Sequence, residues 1–220
     1  MFMTRMPLNI RRRGAMHLLG SPQRMHAAVM AAFPDSTGGE GGRVLWRVDR
    51  SHQGVALFVV SPLAPDLTHV AEEAGWPTTT TWETKPYDRF VSGIAAGDRM
   101  AFRLRANPVH SVRTRSDQVD TKVTAHVTAS QQGQWLLDRG TANGFTIVDG
   151  ADGADQVLVR DRQTERFRRS GHMVTLSSAV FEGQLVVQDA AAFRGVLTTG
   201  LGRAKAYGCG LMTVVPMAVG

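Results

Sequence analysis

The chain has 220 residues, of which 43% are hydrophobic and 20% charged. That composition excludes a disordered chain, and the length allows one large domain or two small ones. Net charge is +6, and apart from Lys85, Lys122 and Lys205 every positively charged side chain is an arginine. Guanidinium pairs phosphate through two parallel hydrogen bonds, so nucleic acid or another polyanion is the expected partner.

No apolar run reaches the roughly 20 residues that cross a bilayer, so no membrane role is expected. The N-terminal MFMTRMPLNIRRRG places its basic cluster after the apolar residues and lacks a signal-peptide pattern. Cys209 is the single cysteine, which rules out an internal disulfide or a cysteine-rich metal site and fits a reducing cytoplasm.

In chain order, a short strand is expected from Phe2 to Ile10, followed by the basic turn Arg11-Arg12-Arg13-Gly14. Ser21-Pro22 is a helix start, serine at the cap and proline at the first helical position. Met25, Val29 and Phe33 then recur every four residues until Pro34. A Gly-rich turn, Ser36 to Gly42, leads to the paired strands RVLWRVDR and GVALFVVSP. LTHVAEEAGW reads as a second helix, and a strand is expected over Trp82 to Phe90. The order is β-α-β-β-α-β.

The second half repeats it. DRMAFRLRANP alternates apolar and basic residues as a strand, and a helix is expected from Thr124 to Arg139. VLVRDRQTERFRR and HMVTLSSAVFEGQLVVQ form a long hairpin turning near Ser170-Gly171. DAAAFRGVLTTG is a helix capped by Asp189 and ending at Gly200, and GLMTVVPMAV is the last strand. The expected fold is α+β, two tandem ferredoxin-like domains covering 1–93 and 94–220. Such folds host many functions, so the site must decide the activity.

The most unusual stretch is TTGLGRAKAYGCGLMTV, with Gly200, Gly202, Gly208 and Gly210 around Arg203, Lys205 and Tyr207. It is no dinucleotide fingerprint, because Lys205 stands where the third glycine belongs and the order is helix, loop, strand. It is no phosphate-binding P-loop either, since Gly208 is followed by Cys209. What remains is a loop whose glycines admit close backbone approach and expose amides, beside two cations and a stacking ring. The plain alternative is a tight helix-to-strand connection.

GLGRAKAYGCGLM, preceded by VTLSSAVFEGQLVVQDAAAFRGVLTTG, resembles the C-terminal signature of the CasE family, the CRISPR repeat-processing endoribonucleases of type I-E Cascade. GSPQRMHAAVMAAFP is similar to that family's first helix, and MAFRLRANPV to its central strand. The resemblance implies two ferredoxin-like domains. It further implies metal-independent cleavage of the CRISPR precursor transcript at the 3′ base of a repeat hairpin, with no cofactor. The product would be retained within Cascade, so the implied partners are the repeat RNA hairpin and the other Cascade subunits.

Cleavage of that kind uses the RNA's own 2′-hydroxyl and leaves a 2′,3′-cyclic phosphate and a 5′-hydroxyl. The protein must move two protons and stabilise charge on phosphorus. His26 is the best of seven histidines, early in its helix, and the family's catalytic histidine falls at this M-H position. A core-edge histidine is the competing reading, because His26, Met30 and Phe33 also share helical spacing. Some family members carry a tyrosine where Gln23 stands, and an amide cannot exchange a proton as a phenol does. A catalytically weak or inactive hairpin-binding subunit is therefore the alternative. His17 is a weaker candidate.

RNA grip is expected from Arg162, Arg166, Arg168 and Arg169, since the resemblance implies a basic hairpin docked on the RNA stem. Alternation puts Arg166 and Arg168 on one face and Arg169 on the other; a solvated edge strand is the alternative. Arg11, Arg12 and Arg13 form a second patch, and Arg203, Lys205 and Tyr207 complete the set. No histidine or carboxylate cluster has metal-ligand spacing.

Overall fold

The computed structural model describes residues 1–34, 42–77, 81–113, 121–148, 157–169 and 171–217. Most of the expected Gly-rich turn, residues 36–41, and the expected turn residue Ser170 lie outside them.

The first half builds β1 (Phe2–Leu8), α1 (Arg13–Leu19), α2 (Pro22–Met30), β2 (Leu45–Ser51), β3 (Gly54–Ser61), α3 (Thr68–Ala74), β4 (Glu83–Pro86) and α4 (Asp88–Gly93). Its antiparallel sheet runs β2-β3-β1-β4. The second half builds β5 (Arg99–Ala106), β6 (Val109–Arg113), β7 (Thr121–Ala125), α5 (Ala129–Ala142), β8 (Phe145–Ile147), β9 (Val157–Arg169), β10 (His172–Val187), α6 (Ala190–Thr199) and β11 (Met212–Pro216). Its sheet runs β11-β5-β10-β8, with β9 continuing along β10 beyond β8. Both sheets have the ferredoxin-like strand order, so the architecture is tandem ferredoxin-like.

Several local expectations are corrected. The basic turn runs straight into α1, which begins at Arg13. The strand foreseen over Trp82 to Phe90 is only β4, after which Tyr87 and Phe90 stack at 5.5 Å and the chain turns into α4. Helix α5 starts at Ala129, later than expected, because Thr128 and Gln131 close a capping box there. Residues 121–125, part of which had been given to that helix, instead form β7, paired with β6. The strand β8 was not foreseen.

One apolar core spans both halves, and a second, around Met6, Val29, Leu57 and Val70, lies wholly in the first. Leu45, Val60, Tyr87 and Val91 of the first half cluster with Phe102, Leu104, Phe181 and Leu197 of the second. Arg47 on β2 pins the joint. It is 1% exposed, forms a two-armed ion pair with Asp49, and donates to the carbonyls of Arg103 and Leu211 and to Thr213 Oγ1. All five guanidinium donors are used.

Candidate nucleic-acid interface and active site

Helix α2 starts at Pro22 as the Ser21-Pro22 pattern predicts, and buries Pro22, Met25 and Val29. It ends at Met30, so Phe33 lies in the following turn rather than on the helical stripe. Gln23 and His26 are one turn apart on the same flank, Gln23 exposed and His26 half-buried. His17, near the end of α1, faces Arg24, whose guanidinium donates to its Nδ1 at 3.1 Å. Because arginine only donates, that nitrogen is the acceptor and a neutral His17 carries its proton on Nε2.

Against α2 packs the 3-10 turn Lys205–Tyr207, the centre of the glycine-rich loop. Gly200, Gly202, Gly208 and Gly210 all have φ between +75° and +92°, the region that favours glycine. The expectation of an exposed amide cradle is corrected. The amides of Gly200, Gly208 and Gly210 are donated to the carbonyls of Val196, Lys205 and Arg105, respectively. The loop folds on itself and on β2, where a Cβ at Gly208 would stand 2.6 Å from the Trp46 ring. Close approach to protein is what these glycines permit.

The three side chains of the loop separate. Arg203 is exposed, and Lys205 is half-buried. Burial and the nearby positive charge of Arg43 both lower the Lys205 pKa. Tyr207 is buried, with its ring against the edge of Phe167 at 4.8 Å between centroids. The expectation that Tyr207 offers a free stacking face is therefore corrected: the ring is part of a small core with Leu176 and Cys209.

Phe167 belongs to β9, so this contact ties the β9–β10 hairpin to the loop. Along β9, Glu165 and Phe167 face inward, while Arg166 and Arg168 stand on the opposite, exposed face. Glu165 holds Arg105 at 2.9 Å. Gln163 and Glu165 then line a cavity of about 60 Å³ with Leu18, Ser21, Pro22 and Met25, where the hairpin meets the start of α2. The pairing with β10 shifts register between Ser178 and Val180, opposite Asp161, whose φ is +48°. Beside this bulge Arg162 donates to the Val127 carbonyl at 2.6 Å. Arg169 ends β9, and its side chain lies outside the described residues.

The N-terminal arginines also separate. Arg11 and Arg13 are exposed, but Arg12 donates to the carbonyls of Ala71 and Gly75 and closes the end of α3. Among the described residues no group of three or more histidine, cysteine, aspartate or glutamate side chains could hold a metal ion, and no helix is long and apolar enough to cross a membrane.

Sequence reasoning missed Arg43, Arg47 and Arg105. The alternation in DRMAFRLRANP does put Arg103 and Arg105 on the polar face of β5. Nothing local marks Arg47, whose hydrogen-bond partners are 56 or more residues away apart from Asp49.

Residues 1–216 match the family model described as CRISPR associated protein. The chain is 29% identical to the CRISPR-associated endoribonuclease Cse3 of Thermus thermophilus over 223 residues, 98% of this chain and 100% of that protein. It is 27% identical to the Cascade subunit CasE of Escherichia coli over 161 residues, 70% and 77% of the two chains. The solved structure of Cse3 bound to a 19-nucleotide RNA superposes with a TM-score of 0.80 at 27% identity, covering 98% and 100%.

Proposed function

The chain belongs to the CRISPR-associated protein family, as a protein of the CasE type, and from that premise we propose that it is an endoribonuclease cutting CRISPR precursor RNA at the 3′ base of the repeat hairpin. The observation that carries this reading is the convergence on α2 of the glycine-rich loop and the arginine-faced hairpin. His26 on α2 moves a proton at the 2′-hydroxyl or the leaving oxygen. Arg166, Arg168, Arg169 and Arg203 hold the RNA backbone, and Arg11 and Arg13 meet flanking phosphates.

The reaction needs no metal: the 2′-oxygen attacks phosphorus, leaving a cyclic phosphate and a 5′-hydroxyl. The product stays bound, and the protein joins Cascade with it. The division into 1–93, carrying His26, and 94–220, carrying the hairpin and loop, is part of the same proposal.

Gln23 favours a second reading, a hairpin-binding subunit with little catalysis, because an exposed amide stands where a proton-exchanging phenol would serve. Incubation with the cognate repeat RNA in EDTA separates the two. The enzyme reading expects cyclic-phosphate product, no cut when the scissile nucleotide is 2′-deoxy, and cleavage lost with binding kept in His26→Ala. A wild type that binds the hairpin uncut is the cap; a metal requirement overturns the mechanism.

A further inference from the structure

The loop that packs on α2 holds one titratable cation in an unusual way. A Cβ placed at Gly200 would stand 3.1 Å from Lys205 Cε, and one at Gly210 would stand 3.1 Å from Lys205 Cγ. The lysine stem therefore lies across two glycines that leave it room, in a segment with backbone hydrogen bonds from Leu201 to Gly210 and from Gly210 to Arg105. A four-carbon stem is normally free to sweep; this one is laid in a groove beside the histidine-bearing helix. Among the described residues no carboxylate pairs with its ammonium, and the nearby charge that acts on it is the cation Arg43. Half-buried, laid across two glycines and with no carboxylate partner among the described residues, it is placed for an anion.

Resting on the functional reading above, we propose that Lys205 is the general acid of the cleavage and that His26 is the base. His26 takes the 2′-hydroxyl proton as the 2′-oxygen–phosphorus bond forms. The phosphorus–5′-oxygen bond breaks, and the departing 5′-oxygen takes a proton from the Lys205 ammonium. Imidazolium and neutral amine then exchange their protons with water. Gln23 cannot supply this proton, so the step falls to a neighbour of α2. Burial and the nearby Arg43 lower the Lys205 pKa, which makes its ammonium a stronger acid than that of an exposed lysine.

The test is single-turnover cleavage of repeat RNA at saturating protein, which removes binding differences, with Lys205→Met and Lys205→Arg. Methionine keeps an unbranched apolar stem; arginine keeps the charge but is a poor proton donor. Both variants are expected to cut at least about 100-fold slower than wild type while binding uncleavable 2′-deoxy hairpin within about 10-fold. A substrate with sulfur as the bridging 5′ leaving atom needs no protonation, and on it both variants should return to within a few-fold of wild type. Rates that stay normal on ordinary RNA, recovery of activity by arginine alone, or no rescue by the sulfur substrate would overturn the assignment. A wild type that cuts and needs His26 but not Lys205 removes this inference alone. A wild type that cuts nothing removes the functional reading with it.

Discussion

Arg47→Met tests the joint between the halves. The substitution preserves an unbranched stem but removes five hydrogen bonds from a side chain that is 1% exposed. Among the described residues Asp49 then keeps Arg103 alone, at 3.6 Å, and the Leu211 carbonyl loses its side-chain donor. Removing one partner of a buried, hydrogen-bonded ion pair costs about 3–5 kcal/mol, most of it from the charge left behind. For a chain of this size each kcal/mol lowers Tm by about 2–4 °C, so a fall of about 6–20 °C is expected. Differential scanning calorimetry with urea titration reads it. The double variant Arg47→Met/Asp49→Leu removes both charges and should recover much of the loss. A single variant within about 1 kcal/mol of wild type, or a double variant no better than the single, would refute the reasoning.

Gly208→Ala combines a left-handed φ of +75° with a Cβ 2.6 Å from Trp46, and should cost about 2–5 kcal/mol in chemical denaturation. Gly171→Ala, with φ +81° and nothing within 4 Å, should cost only about 1–2 kcal/mol. Arg166→Ala and Arg168→Ala should each lower the salt slope of hairpin affinity by about 1, leaving Tm unchanged in the same proteins. Burial pushes the Cys209 thiol from 9.0 up to about 12. The unfolded thiol therefore ionises first, and the stabilising contribution is complete below pH 9 and lost as pH rises towards 12. Denaturation midpoints should fall over that window, and Cys209→Ala should flatten the fall.

Strand order was legible wherever apolar residues alternate over a full strand, as in β3 and β5, and α2 was legible from its proline and four-residue repeat. The arm β6–β7 was not, because VHSVR and TKVTA are only five residues each and carry too few apolar residues to mark a face. β8 has only three residues, too short for any period to register. His26 could be singled out from its helix, but the role of the glycine loop could not. Whether a glycine exposes an amide or makes room for a tryptophan depends on β2, more than 150 residues earlier. Tyr207 and Arg12 were misjudged for the same reason: Phe167 and the end of α3 reach them only through the tertiary fold.

The two faces of β9 divide the hairpin's obligations. Glu165 and Phe167 answer to the interior, through Arg105 and Tyr207, and a change there disturbs the molecule's own architecture. Arg166 and Arg168 stand on the exposed face. Their side chains can be exchanged as a partner's shape drifts with little disturbance to the interior contacts of Glu165 and Phe167. Alternation along one strand thus separates what must persist from what is free to evolve.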